Sequence, residues 1–250
     1  MMKKMKGVYF LLSTLLIALL QLPFAFAKSS SGLRLTPKPS SDSNTVEATS
    51  PDNRNNLRKS VYDSLHLELK GLSREAFVYA QEGFDKLDAR EKLTNDDILT
   101  VIDFSLPSNK KRMFIIDMKN YRVLFHTLVS HGRNTGHVMA TSFSNAHETY
   151  KSSPGFYVTR ETYQGKNGYS LKLEGMERGI NDNAYSRGIV IHGAAYVNES
   201  AAKSGGFVGR SHGCPAVPQQ LTAPIINTIK NGTCLFIYHP SYVERSALLN

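Results

Sequence analysis

The sequence predicts a mainly β domain, a small sandwich or barrel-like set of mixed sheets with short helices, preceded by an α-helical segment. Two observations carry this. From Arg112 onward, short runs rich in β-branched and aromatic residues recur between glycine and asparagine loops. Upstream of that point the apolar residues recur at helical spacing instead.

The elements follow in chain order. Lys3, Lys4 and Lys6 precede a nearly unbroken apolar run from Val8 to Leu20, and Ala25-Phe26-Ala27 fits the small-x-small cleavage rule, so residues 1–27 read as a signal peptide. An uncleaved anchor is the alternative. No cysteine lies near the cleavage point, which argues against a lipoprotein, and no later apolar run reaches the roughly 18 residues a bilayer span needs. Residues 28–56 are rich in serine and proline (Ser29-Ser30-Ser31, Pro37, Pro39, Ser40-Ser41, Pro51) and carry scarcely any aliphatic periodicity, which predicts a disordered tether.

The formal charge of +9 becomes +6 once the leader's three lysines are removed. That surplus favours an anionic partner. An exported chain rarely meets nucleic acid, and there is no basic run interleaved with stacking aromatics, so an anionic envelope polymer fits better. A merely soluble basic surface is the other reading.

Residues 57–104 are expected to be helical. Leu65 and Leu69 follow Val61 at helical spacing, and Ser73 is placed to cap a helix whose Phe77, Ala80, Phe84 and Leu87 share a face. Thr94-Asn95-Asp96-Asp97 offers cap chemistry for a third short helix around Ile98 to Ile102. In the β domain, residues 105–242, the runs 113–117 and 122–129 should pair as a hairpin through Met118-Lys119-Asn120. Further strands are expected at Gly155 to Glu161, Ser170 to Leu173, Gly188 to His192 and Cys234 to Tyr238, with a surface helix over about 220–231. Residues 243–250 form a C-terminal tail.

The segment GIVIHGAAYVNESAAKSGGFVGRSHGCPAVP carries the chemistry. It places His192 after an apolar strand-like run and Cys214 inside Ser211-His212-Gly213-Cys214, twenty-two residues further on. A thiol becomes a good nucleophile when an imidazole takes its proton, and Gly213 beside it lets a substrate carbonyl approach backbone amides. Pro215 has no N–H, so donors to an oxyanion must come from Cys214, Gly213 or His212.

With those residues in view, the chain resembles the YkuD-type murein L,D-transpeptidases, whose signature is an upstream histidine and a Ser/Thr-x-Gly-Cys turn. Ser153-Pro154-Gly155-Phe156-Tyr157 is similar to the family's Pro-x-Gly-x-aromatic stretch, and Val129-Ser130-His131-Gly132 closes the hairpin as the family's substrate-side strands do. The resemblance covers 105–242. One feature departs from it: the common pattern has an arginine two residues after the cysteine, whereas here Pro215-Ala216-Val217-Pro218 follows, as in a divergent Gly-Cys-Pro branch. Arg210 is the nearest cation in the turn, and either a substrate carboxylate or the loop's own carbonyls can be its partner.

The resemblance implies a cysteine acyltransferase without cofactor or metal. Cys214 would be nucleophile and His192 the general base, with the Ser211 region fixing the imidazole tautomer. Gly213 completes the catalytic turn, while Arg210, His212 and Gly193 would contact substrate. The implied donor is a peptidoglycan stem tetrapeptide cleaved before its terminal D-alanine. An acceptor amine, an envelope-protein lysine or water would complete the reaction. Three other readings stay open: a Cys214–Cys234 disulfide, a zinc site among His131, His137, His192, His212 and Cys214, and a noncatalytic peptidoglycan-binding domain.

Overall fold

The computed structural model describes residues 61–250. The leader and tether expected over 1–56 lie outside the described residues.

Eight strands form one mixed sheet in the order β3-β2-β1-β8-β4-β5-β6-β7. They are β1 Ile98–Asp103, β2 Met113–Asp117, β3 Arg122–Thr127, β4 Gly155–Gly165, β5 Gly168–Gly175, β6 Val190–Ala194, β7 Ala216–Pro218 and β8 Cys234–Tyr238. The β1–β8 and β6–β7 pairs are parallel and the rest antiparallel. The outer strands are then stitched together. Beyond β3 the chain runs on beside the approach to β7, where Ser130 N–H donates to Ala216 O, Ser211 N–H to His131 O and Arg133 N–H to Ser211 O. This closes the sheet on itself and places the Ser211–Cys214 turn at the seam.

The mainly β expectation with a preceding helix holds. Helix α1, Arg74–Ala89, begins at Ser73, whose Oγ accepts from Ala76 N–H. Its Phe77, Ala80, Phe84 and Leu87 are buried against Leu99, Val101, Phe114, Phe156 and Phe236 on one face of the sheet. Gly83 faces the Phe156 ring so closely that a Cβ there would collide with it. The other sheet face buries Ile102, Ile115, Leu171, Ile191 and Ile237 with three isoleucines of α3, Thr222–Ile229. Short helices α2, Glu199–Ser204, and α4, Pro240–Val243, are also present, besides a helical turn over 61–64 and a 3-10 turn at Gln219–Leu221.

The third helix expected at Ile98 to Ile102 is instead strand β1. All six of its residues are buried, because the strand is covered on both faces, and a strand covered twice shows no alternation in its sequence. The apparent cap upstream is a turn: Asn95 Oδ1 accepts from Asp97 N–H at 3.1 Å. The other expected strands form, with Cys234–Tyr238 at its expected bounds. The three-residue β7 has too little sequence to show a period.

Candidate active site

His192 sits in β6, and the parallel register aligns it with Ala216 of β7, two residues beyond Cys214. Strand and turn therefore bring both side chains to one open pocket of about 560 Å³. Arg210, Ser211, His212 and Gly193 also line it, with the β4–β5 hairpin tip at Lys166 to Gly168, Tyr196 and Gln219.

His192 is buried, and its Nδ1 lies 2.9 Å from Gly193 O. A carbonyl only accepts, so Nδ1 carries the proton and Nε2 is left as the basic nitrogen. Gly193, rather than the Ser211 region, thus fixes the tautomer. The Ser211 hydroxyl is engaged within its own turn: it donates to Cys214 O at 2.6 Å and accepts from Gly213 N–H at 3.0 Å. The Ser211 backbone is occupied by the seam. Gly193 has no room for a side chain, since a Cβ would meet Thr222 Oγ1 and Gln219.

Burial lowers the His192 pKa, and the bond to Gly193 only partly opposes it. Burial raises the Cys214 thiol, against hydrogen bonding from the Val190 and Cys214 amides and the charge of Arg187. Both displacements favour a resting pair in which thiol and imidazole are neutral.

The turn also narrows the oxyanion donors. Gly213 N–H is taken up by Ser211 Oγ and Pro215 has no N–H, which leaves the His212 amide and the Cys214 amide, the latter held only by its own sulfur. Gly213 has φ +123°, and a Cβ there would come within 2.9 Å of Lys151 O. The His212 residue is exposed and its ring packs on Tyr150 at 4.5 Å, while the Arg133 guanidinium lies over the Tyr150 ring at 4.0 Å.

Arg210 is exposed, and its Nη1 donates to Arg133 O at 3.1 Å and Gly136 O at 3.2 Å, a loop brace. The cation that acts on the thiol is Arg187, which sequence reasoning missed. Its guanidinium donates to Ser144 O, Ser153 Oγ and Lys151 O at 2.9, 2.6 and 2.6 Å. Nothing in the local sequence marks it, because its partners are distant in the chain.

Cys214 and Cys234 are both free thiols. Cys234 belongs to the cluster under α1, whereas Cys214 borders the cluster on the opposite sheet face, so no bridge joins them. His131, a candidate zinc ligand, is buried with Nδ1 2.8 Å from Arg112 Nη2, an arrangement in which the guanidinium occupies the ring's lone pair. Among the described residues no three His, Cys, Asp or Glu side chains gather as a metal site.

Comparison with known proteins assigns the chain to a family. No curated protein matches the chain. Among solved structures, an L,D-transpeptidase from Mycobacterium smegmatis is 12% identical, with a TM-score of 0.36 over 57% of this chain and 59% of that one. L,D-transpeptidase 3 from Mycobacterium tuberculosis is 14% identical, with a TM-score of 0.35 over 57% of this chain and 61% of that one. An L,D-transpeptidase from Xylanimonas cellulosilytica is 16% identical, at 0.34 over 56% and 60%. The alignment thus spans less than two thirds of each of these chains. The family model described as L,D-transpeptidase catalytic domain, YkuD_2, matches residues 68–238, more than half of the sequence, and the chain belongs to that family.

Proposed function

We propose that this protein is an exported cysteine acyltransferase acting on peptidoglycan stem peptides. The observation that carries the reading is the convergence of Cys214 and His192, with Nε2 free, on one pocket. The leader-like residues 1–27 support export. No acidic residue lines the pocket, whereas Lys166 and Arg210 do, which suits a substrate bearing carboxylates.

In the donor half-reaction His192 Nε2 takes the thiol proton as Sγ attacks the carbonyl before the terminal D-alanine. The new S–C bond pushes the carbonyl π pair onto oxygen, where the Cys214 and His212 amides are the available donors. Collapse breaks the C–N bond, and the departing amine takes the proton from His192, leaving a thioester on Cys214. An amine or water then attacks the thioester. A stem amine gives a cross-link, an envelope-protein lysine gives attachment, and water gives carboxypeptidase activity.

The test is incubation with a carbapenem followed by intact and peptide mass spectrometry. The expected product is a stable adduct on Cys214 that Cys214→Ala does not form. Absence of an adduct on the wild-type protein would leave a noncatalytic binding domain as the better reading.

A further inference from the structure

The thiol's own amide is useful to an oxyanion only if its peptide plane is held at a fixed rotation, and one buried hydroxyl is placed to do this. Ser152, 1% exposed, donates from Oγ to Gly213 O at 2.9 Å. The same oxygen accepts from Gly132 N–H at 3.0 Å, while Ser152 N–H donates to Thr135 Oγ1 at 2.7 Å. The hydroxyl is thus oriented from behind, and its proton has one acceptor, the Gly213 carbonyl.

A trans peptide sets C=O and N–H on opposite sides of the C–N bond. With the Gly213 carbonyl drawn toward buried Ser152, the Cys214 N–H points the other way, away from the core. Cys214 is among the residues that line the pocket, whereas Ser152 is not. The glycines make the approach feasible: a Cβ on Gly132 would stand 3.0 Å from Gly213 Cα, and one on Gly213 would stand 2.9 Å from Lys151 O. The segment carrying Ser152 is itself fixed, because Arg187 binds Lys151 O on one side and Ser153 Oγ on the other.

We propose that Ser152 is a positioning residue for acyl transfer: its hydroxyl locks the Gly213–Cys214 peptide so that the Cys214 N–H faces the developing oxyanion. This rests on the reading of Cys214 as an acylated nucleophile. Ser152 touches no substrate. Its effect passes through one peptide bond.

Two reagents separate aim from folding. A carbapenem develops an oxyanion when its lactam carbonyl is attacked, whereas iodoacetamide alkylates the same sulfur by displacing iodide and develops none. Ser152→Ala is expected to slow carbapenem acylation about thirtyfold or more, short of the roughly hundredfold or more that follows outright loss of an oxyanion donor because the amide itself is retained, and to leave the iodoacetamide rate within about twofold. Ser152→Thr and Ser152→Val are nearly isosteric, so comparing them isolates the hydroxyl if the alanine variant folds poorly. Thr should acylate faster than Val by at least about tenfold at a similar unfolding midpoint. Equal slowing with both reagents, or equal acylation of Thr and Val, overturns the proposal. Wild-type protein that iodoacetamide labels but no carbapenem acylates overturns the acyltransferase reading instead, and the positioning role falls with it.

Discussion

His192 Nδ1 lies 2.9 Å from the carbonyl of Gly193, its own neighbour in β6. The ring is therefore oriented by the strand that carries it, and no carboxylate is needed to set the tautomer. His192→Ala is expected to slow acylation by about a hundredfold or more, the usual contribution of a general acid–base group. Burial also predicts the pH profile. The base must be neutral, and its pKa is lowered from the ordinary 6.5, so activity should persist as pH falls through 6.5 and decline only below it. An acid limb centred at or above 6.5 in single-turnover acylation would contradict this assignment.

The two thiols should behave oppositely. Cys214 borders the pocket and is partly accessible, whereas Cys234 is fully buried among Phe156, Phe236 and the α1 side chains. Burial pushes the Cys234 thiol far above its ordinary range. Thiol titration of the native protein should count one reactive group, and denaturation should reveal the second. Cys234→Ser is expected to retain turnover while losing about 1–3 kcal/mol, because a hydroxyl would sit in that site without a partner. Turnover lost in step with Cys214→Ala would contradict the assignment of Cys234 to the core.

The candidate pair Cys214 and His192, which line one pocket, and most strands were legible in the sequence because each rests on local pattern. The apolar run before His192 marks β6, and the Ser-His-Gly-Cys turn marks its partner. What was hidden depends on contacts across the chain. Ser152 meets Gly213 sixty-one residues away, and Arg187 meets Lys151 thirty-six residues away. The β1 strand was hidden for another reason: cover on both faces removes the alternation that distinguishes a strand from a buried helix.

Arg210 provides a test of its two readings. Its bonds to Arg133 O and Gly136 O predict a brace, so Arg210→Lys should lose about the same factor on stems with free and with amidated donor carboxylates. The expected loss is modest, because the guanidinium is exposed. A loss confined to the free-carboxylate stem, measured as a rise in KM, would assign Arg210 to substrate.

Stability should fall in mild acid through His131. The ring is buried against the Arg112 guanidinium, and burial with that neighbouring charge holds its pKa at about 4 against an ordinary 6.5. Arg210 adds a smaller effect of the same sign, and the carbonyl of Gly136 opposes it. Because the folded value is depressed, the unfolded chain binds the proton first. The stabilisation is complete above pH 6.5 and is lost progressively as pH falls toward about 4, by on the order of 3 kcal/mol. Urea unfolding across this window should show the slope, and His131→Gln should flatten it.

Arg187 combines two roles that substitutions can separate. Its guanidinium fixes the segment of Ser144, Lys151 and Ser153, and its charge favours the Cys214 thiolate over the thiol. Removing the charge must therefore raise the thiol pKa, since the remaining shift from burial acts upward. Arg187→Gln is expected to move the midpoint of the pH-dependent iodoacetamide rate upward and to lower the unfolding midpoint. Arg187→Lys keeps the charge and loses the fork that serves three acceptors. It should lower the unfolding midpoint as well but leave the alkylation midpoint near that of the wild type. If Gln and Lys shift the alkylation midpoint equally, the thiol responds to the geometry of the segment and not to the cation.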